Sequence, residues 1–170
     1  MIPEPISFTV YGRPAPQGSK KAVGRRKNGS TILIEMSQKV KPWREAVKTA
    51  ALEAYDGPTI TDPVVLYVVF TLQAPAKLPK GRTYPTTAPD LSKLIRSTED
   101  AITDAGIWRD DSLVVVETGQ KLYPGQVGAL DRPGATITIS WIPPMTAGHV
   151  ASMMAEWRSS QPSTKIPETG

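Results

Sequence analysis

The run APDLSKLIRSTEDAITDAGIWRDDSLVVV, residues Ala88–Val116, decides how this chain is read. Leu94, Ile95, Thr98, Ala101 and Ile102 recur at intervals of three and four, the spacing that lines one face of an α-helix. The pattern predicts a helix from Leu91 to Ala105, with Gly106 as its C-cap because glycine adopts the left-handed conformation without steric cost. Pro89 and Asp90 stand at its mouth. Past its far end, Asp110 and Asp111 precede Leu113–Val116, an apolar, β-branched run that continues towards Leu122 and predicts a strand. Carboxylates at the ends of regular elements, joined by a helix, are one way to hold a divalent cation over a phosphate. Spacing alone favours a plainer reading, in which Asp90 caps the helix and Asp110-Asp111 forms a turn.

Working outward, Ile6, Phe8 and Val10 alternate with polar residues and predict a half-buried strand ending at Tyr11-Gly12. Arg13–Ser30 gathers prolines, glycines and most of the early positive charge, and reads as a loop or flap. Thr31–Glu35 reads as a short strand. Val40, Trp43, Val47, Ala50, Ala51 and Ala54 repeat at helical spacing to Tyr55; Pro42 suits the first turn and Gly57-Pro58 the stop. Val64–Leu72 is almost unbroken in apolar residues, as a central strand covered on both faces would be. Ala135–Ile142 predicts the last strand, with Pro124–Gly134 as the hairpin joining it to the strand before. In the tail, Val150, Met153, Met154 and Trp157 recur at helical spacing after a capping Thr146, and the polar residues 159–170 read as disordered.

The expected fold is therefore α+β. A single domain over 1–142 carries a mixed sheet of about five strands packed with two main helices. A short C-terminal helix and flexible tail follow over 143–170.

A length of 170 residues suits one domain with a real core. With no long apolar run and no charged-then-apolar leader, neither a membrane span nor a signal peptide is expected, and the expected location is cytoplasmic. Cysteine is absent, which excludes disulfides, thiolate catalysis and Cys-type zinc sites. The single histidine, His149, excludes a histidine-cluster metal site. Net charge is only +4, so its distribution matters more than its size. Lys20, Lys21, Arg25, Arg26 and Lys27 crowd one segment, and Lys77, Lys80 and Arg82 precede Asp90. Basic segments flanking an acidic site suit a phosphate backbone approaching metal-binding carboxylates.

The stretch from Asp90 resembles the signature of RusA-type Holliday junction resolvases, D-L-D-N-L-x-K-x-x-x-D-A-L-T-x-A-G-x-W-x-D-D. Asp90, Leu91, Leu94, Asp100, Ala101, Thr103, Ala105, Gly106, Trp108, Asp110 and Asp111 fall in register with it without a gap. Gly12–Lys21 (GRPAPQGSKK) and Lys41–Val47 (KPWREAV) are similar to the actinobacterial and phage branch of that family, and the likeness runs from about residue 5 to 142. The resemblance implies a homodimeric, Mg²⁺-dependent endodeoxyribonuclease. Its DNA substrate would be the four-way junction met in recombination, repair or phage DNA processing.

The resemblance also implies roles. Asp90 and Asp111 take the places of two metal-binding aspartates. The family's third aspartate, two residues after the first, is replaced here by Ser92, which brings no negative charge. Two consequences stay open. Either the protein binds junctions and cuts them weakly or not at all, or another acid moves in. Glu99 is the candidate substitute: it lies two helical turns beyond Ser92, roughly 10 Å along the same face. Its plainer role is an exposed glutamate paired with Arg96, and Ser92 itself suits a helix cap. Arg96 matches a lysine position needed for cleavage, with Asp100 expected to orient it and Asp110 to support the site. Lys20, Lys21, Arg25, Arg26, Lys27, Lys93 and Lys121 are expected to meet DNA. Trp108 reads as core. A sequence-specific regulator is disfavoured by the absence of a helix-turn-helix signal.

Overall fold

The computed structural model describes residues 3–18, 20–25, 31–35, 40–78 and 80–142. Arg26, Lys27 and the expected tail helix lie outside the described residues. Along the chain run β1 (Ile6–Tyr11), β2 (Lys20–Arg25), β3 (Thr31–Glu35), α1 (Val40–Ala54), β4 (Val64–Thr71), α2 (Leu91–Asp104), a 3₁₀ turn at Asp111–Leu113, β5 (Val114–Leu122) and β6 (Gly134–Trp141).

The apolar run predicted to be a central strand is one. β4 lies between β6 and β5 in a sheet of order β1-β6-β4-β5. Its register is antiparallel to β6, from Val64↔Trp141 to Thr71↔Gly134. With β5 it is parallel, from Val64↔Val114 to Thr71↔Leu122. A parallel neighbour cannot be reached by a tight turn, so the chain crosses back over the sheet, and α2 is that crossover. On the helix side of β4, Val64, Leu66, Val68 and Phe70 are all fully buried. Val47 and Ala51 of α1, and Leu94, Ala101 and Ile102 of α2, close over them. Trp43 of α1 tilts against Phe70 with ring centroids 6.3 Å apart, and its indole N–H donates to Thr98 Oγ1 of α2 at 3.4 Å. Trp108 is core as expected, its indole N–H donating to Thr103 Oγ1 at 2.7 Å.

The α+β class and the two main helices agree with the sequence reading, while several details differ. Lys20–Arg25 is a strand, not a loop: β2 pairs antiparallel with β3, with a bulge between Ala22 and Gly24. Backbone hydrogen bonds suffice for that ladder, so its basic, glycine-bearing sequence hides it. Because β3 finds its partner in β2, the main sheet has four strands and not about five. Pro124–Gly134 is not a β5–β6 hairpin, since β4 separates those strands. Nor is β4 covered by helices on both faces. Both helices lie on one side, and on the other Tyr67 is 40% exposed. The far end of that second face is roofed by the β5–β6 loop, where Leu130 N–H donates to Thr71 Oγ1 at 2.9 Å.

Gly134 opens β6 opposite both Tyr11 and Thr71. A β-carbon there would run into the Val10 carbonyl oxygen and stand 2.9 Å from Leu130 Cδ1. The backbone contact cannot be relieved by a rotamer change. Gly134→Ala is expected to lower stability by about 1–3 kcal/mol, as overpacking does. The check is a shifted urea midpoint at unchanged slope.

Candidate functional site

Asp90 occupies the N-cap position of α2 in extended conformation (φ −68°, ψ 136°), yet its side chain makes no cap hydrogen bond. Its carboxylate instead accepts Lys93 Nζ at 2.9 Å. That hydrogen bond, then the charge of Lys93 and the more distant charge of Lys121, hold the carboxyl below its ordinary range. The group is therefore an exposed anion at neutral pH. Ser92 is exposed inside the first turn, so the capping position suggested for it belongs to Asp90. Lys121, on β5, donates to the carbonyl oxygens of Thr87 at 3.1 Å and Pro89 at 2.9 Å. It lashes the loop that presents Asp90 to the sheet, using two of its three ammonium hydrogens.

At the other end of α2, Asp110 takes the plain role anticipated for the acidic pair. Its side chain accepts the Ser112 N–H at 2.9 Å and caps the 3₁₀ turn. Hydrogen bonds from Ser112 side chain and backbone hold its carboxyl below the ordinary range. Asp111, the first residue of that turn, is exposed and has no ion pair among the described residues. Nearby, the half-buried Glu99 is pushed up to about 7, first by burial, then by the charges of Glu117, Asp111 and Asp100, with Arg96 pulling the other way.

Glu117 is a residue the sequence reading passed over. It pairs with Leu66 in the ladder, which turns it to the helix side of β5, where it stays exposed. The signal was the alternation along Val116–Leu122, too weak to place without β4 as reference. Asp100, expected beside Arg96, is paired with Arg44 of α1 at 3.3 Å, and the same guanidinium reaches Asp104. Arg44 thus ties α1 to α2, and Arg96 stays exposed on the surface.

These residues form two groups within one chain. Asp90 lies at the end of the β4–β5 ladder where Lys121 pairs with Phe70; Asp111 lies at the opposite end, before Val114, which pairs with Val64. Between them run the 14 residues of α2, about 21 Å at 1.5 Å per residue. Glu99 belongs with Asp111 and Glu117, while the charges acting on Asp90 are those of Lys93 and Lys121. Among the described residues, no three of His, Cys, Asp and Glu gather where they would hold a metal ion. Of the expected DNA contacts, Lys93 is engaged by Asp90 and Lys121 by loop carbonyls, while Lys20, Lys21 and Arg25 lie on β2. Among the described residues, no helix is long and apolar enough to cross a membrane.

The family model for endodeoxyribonuclease RusA matches residues 12–140. The protein YqaN of Bacillus subtilis (strain 168), described as uncharacterized, is 31% identical over 128 residues, covering 69% of this chain and 87% of its own. The chain belongs to the RusA endodeoxyribonuclease family, hydrolases that cut phosphodiester bonds within DNA and act on branched junctions.

The environment of Glu99 has a thermodynamic consequence. Its carboxyl titrates at 4.5 ordinarily and at about 7 in the fold, so between those values the folded state holds a proton that the unfolded chain has lost. Stability contributed at low pH is therefore lost as pH rises through that window. With chelator present, Glu99→Gln is expected to melt above the parent protein at about pH 8, and the two should converge at about pH 4. Coincident melting curves at the higher pH would remove the assigned burial of this group.

Proposed function

We propose that this protein is a homodimeric, Mg²⁺-dependent nuclease that nicks four-way DNA junctions, each metal site combining Asp90 of one copy with Asp111 of the other. The observation that carries the reading is the pair of exposed aspartates, both inside the matched region, held at opposite ends of one helix. Two copies related by a two-fold axis, with their α2 helices antiparallel, bring the Asp90 end of one against the Asp111 end of the other. The same axis matches the two-fold symmetry of a junction and yields two sites for paired nicks.

Exposed carboxylates are hard oxygen donors, which suits magnesium with its retained waters, although one chain alone does not assemble the set. Bound there, such a cation supplies acidification of water and charge relief at phosphorus. The chain's own residues do the rest. Lys93 keeps Asp90 ionised, and Glu99 with Glu117 adds acidic groups on the Asp111 side, where they offset the missing aspartate at Ser92. Arg96 offers a permanently charged fork for phosphate but no proton near neutral pH. β2 carries Lys20, Lys21 and Arg25 in its sequence, charges suited to a phosphate backbone.

A second reading, junction binding with little cleavage, is favoured by Ser92, an exposed hydroxyl where the family pattern carries a carboxylate. Ser92→Asp should raise the nicking rate sharply under that reading and change it little if Glu99 and Glu117 already serve.

The shared site has its own test. Asp90→Asn and Asp111→Asn are each expected to abolish nicking of a synthetic four-way junction in magnesium while leaving gel-shift binding intact. Mixing the two inactive proteins should restore nicking, because half the dimers are then mixed and each carries one intact site, about a quarter of the total. A mixture as inactive as its components would refute a site shared between copies.

A further inference from the structure

Beside Asp90 the fold leaves a cleft of about 350 Å³, lined by the β1–β2 connection, the end of β4, the loop leading to Asp90 and Tyr123. That volume falls in the range of small-ligand sites. Arg13 and Arg82 reach it from segments far apart in sequence, and no carboxylate lines it among the described residues. Neither arginine has an ion-pair partner among the described residues. Two other clefts among the described residues do carry carboxylates, Glu4 and Asp62 in one, and Glu45 and Asp104 beside Lys41, Arg44 and Lys48 in the other. The walls here include Pro75, Pro89 and the buried Tyr123, apolar surfaces against which a nucleobase can pack. Gln73 also lines the cleft; its Nε2 donates to the Ala74 carbonyl at 3.3 Å, which leaves the amide oxygen and a second hydrogen for a base edge.

We infer that this cleft receives one nucleotide unstacked from the DNA next to the cut, its phosphate on Arg13 and Arg82, its base among Pro75, Pro89 and Tyr123. The inference rests on the nuclease reading above and extends it to how the cut position is chosen. The exchange point of a junction interrupts stacking, so a nucleotide can leave the stack there at lower cost than from continuous duplex. Because Pro89 both lines the cleft and precedes Asp90, a base seated here fixes the register of the adjoining phosphate against the Asp90 carboxylate. Lys121, bonded to the Thr87 and Pro89 carbonyls, keeps that wall in place. Gln73 then makes the choice depend on base identity.

Two measurements test the cleft separately from the nuclease reading. In the first, dAMP, dCMP, dGMP and dTMP are titrated into the full-length protein with chelator present, followed by NMR, with inorganic phosphate and the matching nucleosides alongside. Monophosphates should perturb Gln73, Arg82 and Tyr123 signals and bind about tenfold more tightly than phosphate or nucleoside alone. Arg13→Ala with Arg82→Ala should abolish the effect. In the second, junctions varying at the two nucleotides flanking the cut are nicked under single-turnover conditions. The parent rates should spread about tenfold across bases, and Gln73→Ala should collapse the spread. If phosphate binds as well as every monophosphate, and Gln73→Ala keeps the same rate pattern, the cleft is only basic surface and the inference fails. If no junction is nicked, the nuclease reading fails, and the titration alone decides the cleft.

Discussion

The parallel pairing of β4 with β5 is the constraint on which the rest of this structure depends. β4 buries an entire face, Val64 to Phe70, and so takes the middle of the sheet, with β6 antiparallel on one side and β5 parallel on the other. The parallel partner demands a crossover, and the amphipathic α2 supplies it while closing the core against α1. Gly119 shows how close the approach is, since a β-carbon there would stand 2.5 Å from Ile95 Cδ1 and 3.1 Å from Leu91 Cδ1. One element therefore connects, covers and spaces.

Its role as spacer governs the chemistry. A crossover begins at one end of the strands and finishes at the other, so residues bracketing it cannot meet in the same chain. Asp90 and Asp111 bracket it. The two ends also differ electrically: Lys93 and Lys121 act on Asp90, whereas the charges of Glu117 and Asp111 act on Glu99. One end of the helix is thus set among cations and the other beside carboxylates.

Much of the connectivity around the site is carried by main-chain acceptors. Ser97 Oγ of α2 donates to the Ala15 carbonyl at 2.7 Å, and Gln17 N–H donates to the Lys93 carbonyl at 2.9 Å. The segment after β1 is thus laid along the start of α2, which brings Arg13 to the Asp90 side. Lys121 performs the matching task from β5. Positive side chains here hold the site's own loops in place, which composition alone does not reveal.

By itself the sequence determined the local elements. The period of apolar residues marked β1, α1, β4, α2 and β6, and Gly106, with φ 71°, ends α2 region as a left-handed residue should. It also supplied the family, because the in-register residues from Asp90 to Asp111 belong to one contiguous run. What only the tertiary structure decided was partnership. β2 was hidden because a ladder of backbone bonds leaves little trace in basic and glycine residues. The β5–β6 connection was misjudged because sequence adjacency does not report an intervening strand. Asp100 chose Arg44 over Arg96, and the charge of Glu117 came to act on Glu99, through the packing of elements distant in the chain. Side-chain periodicity is a local property that short-range sterics and burial write into the chain. Which charged groups share a site depends on how strands order in the sheet, and that is settled only when the whole core closes.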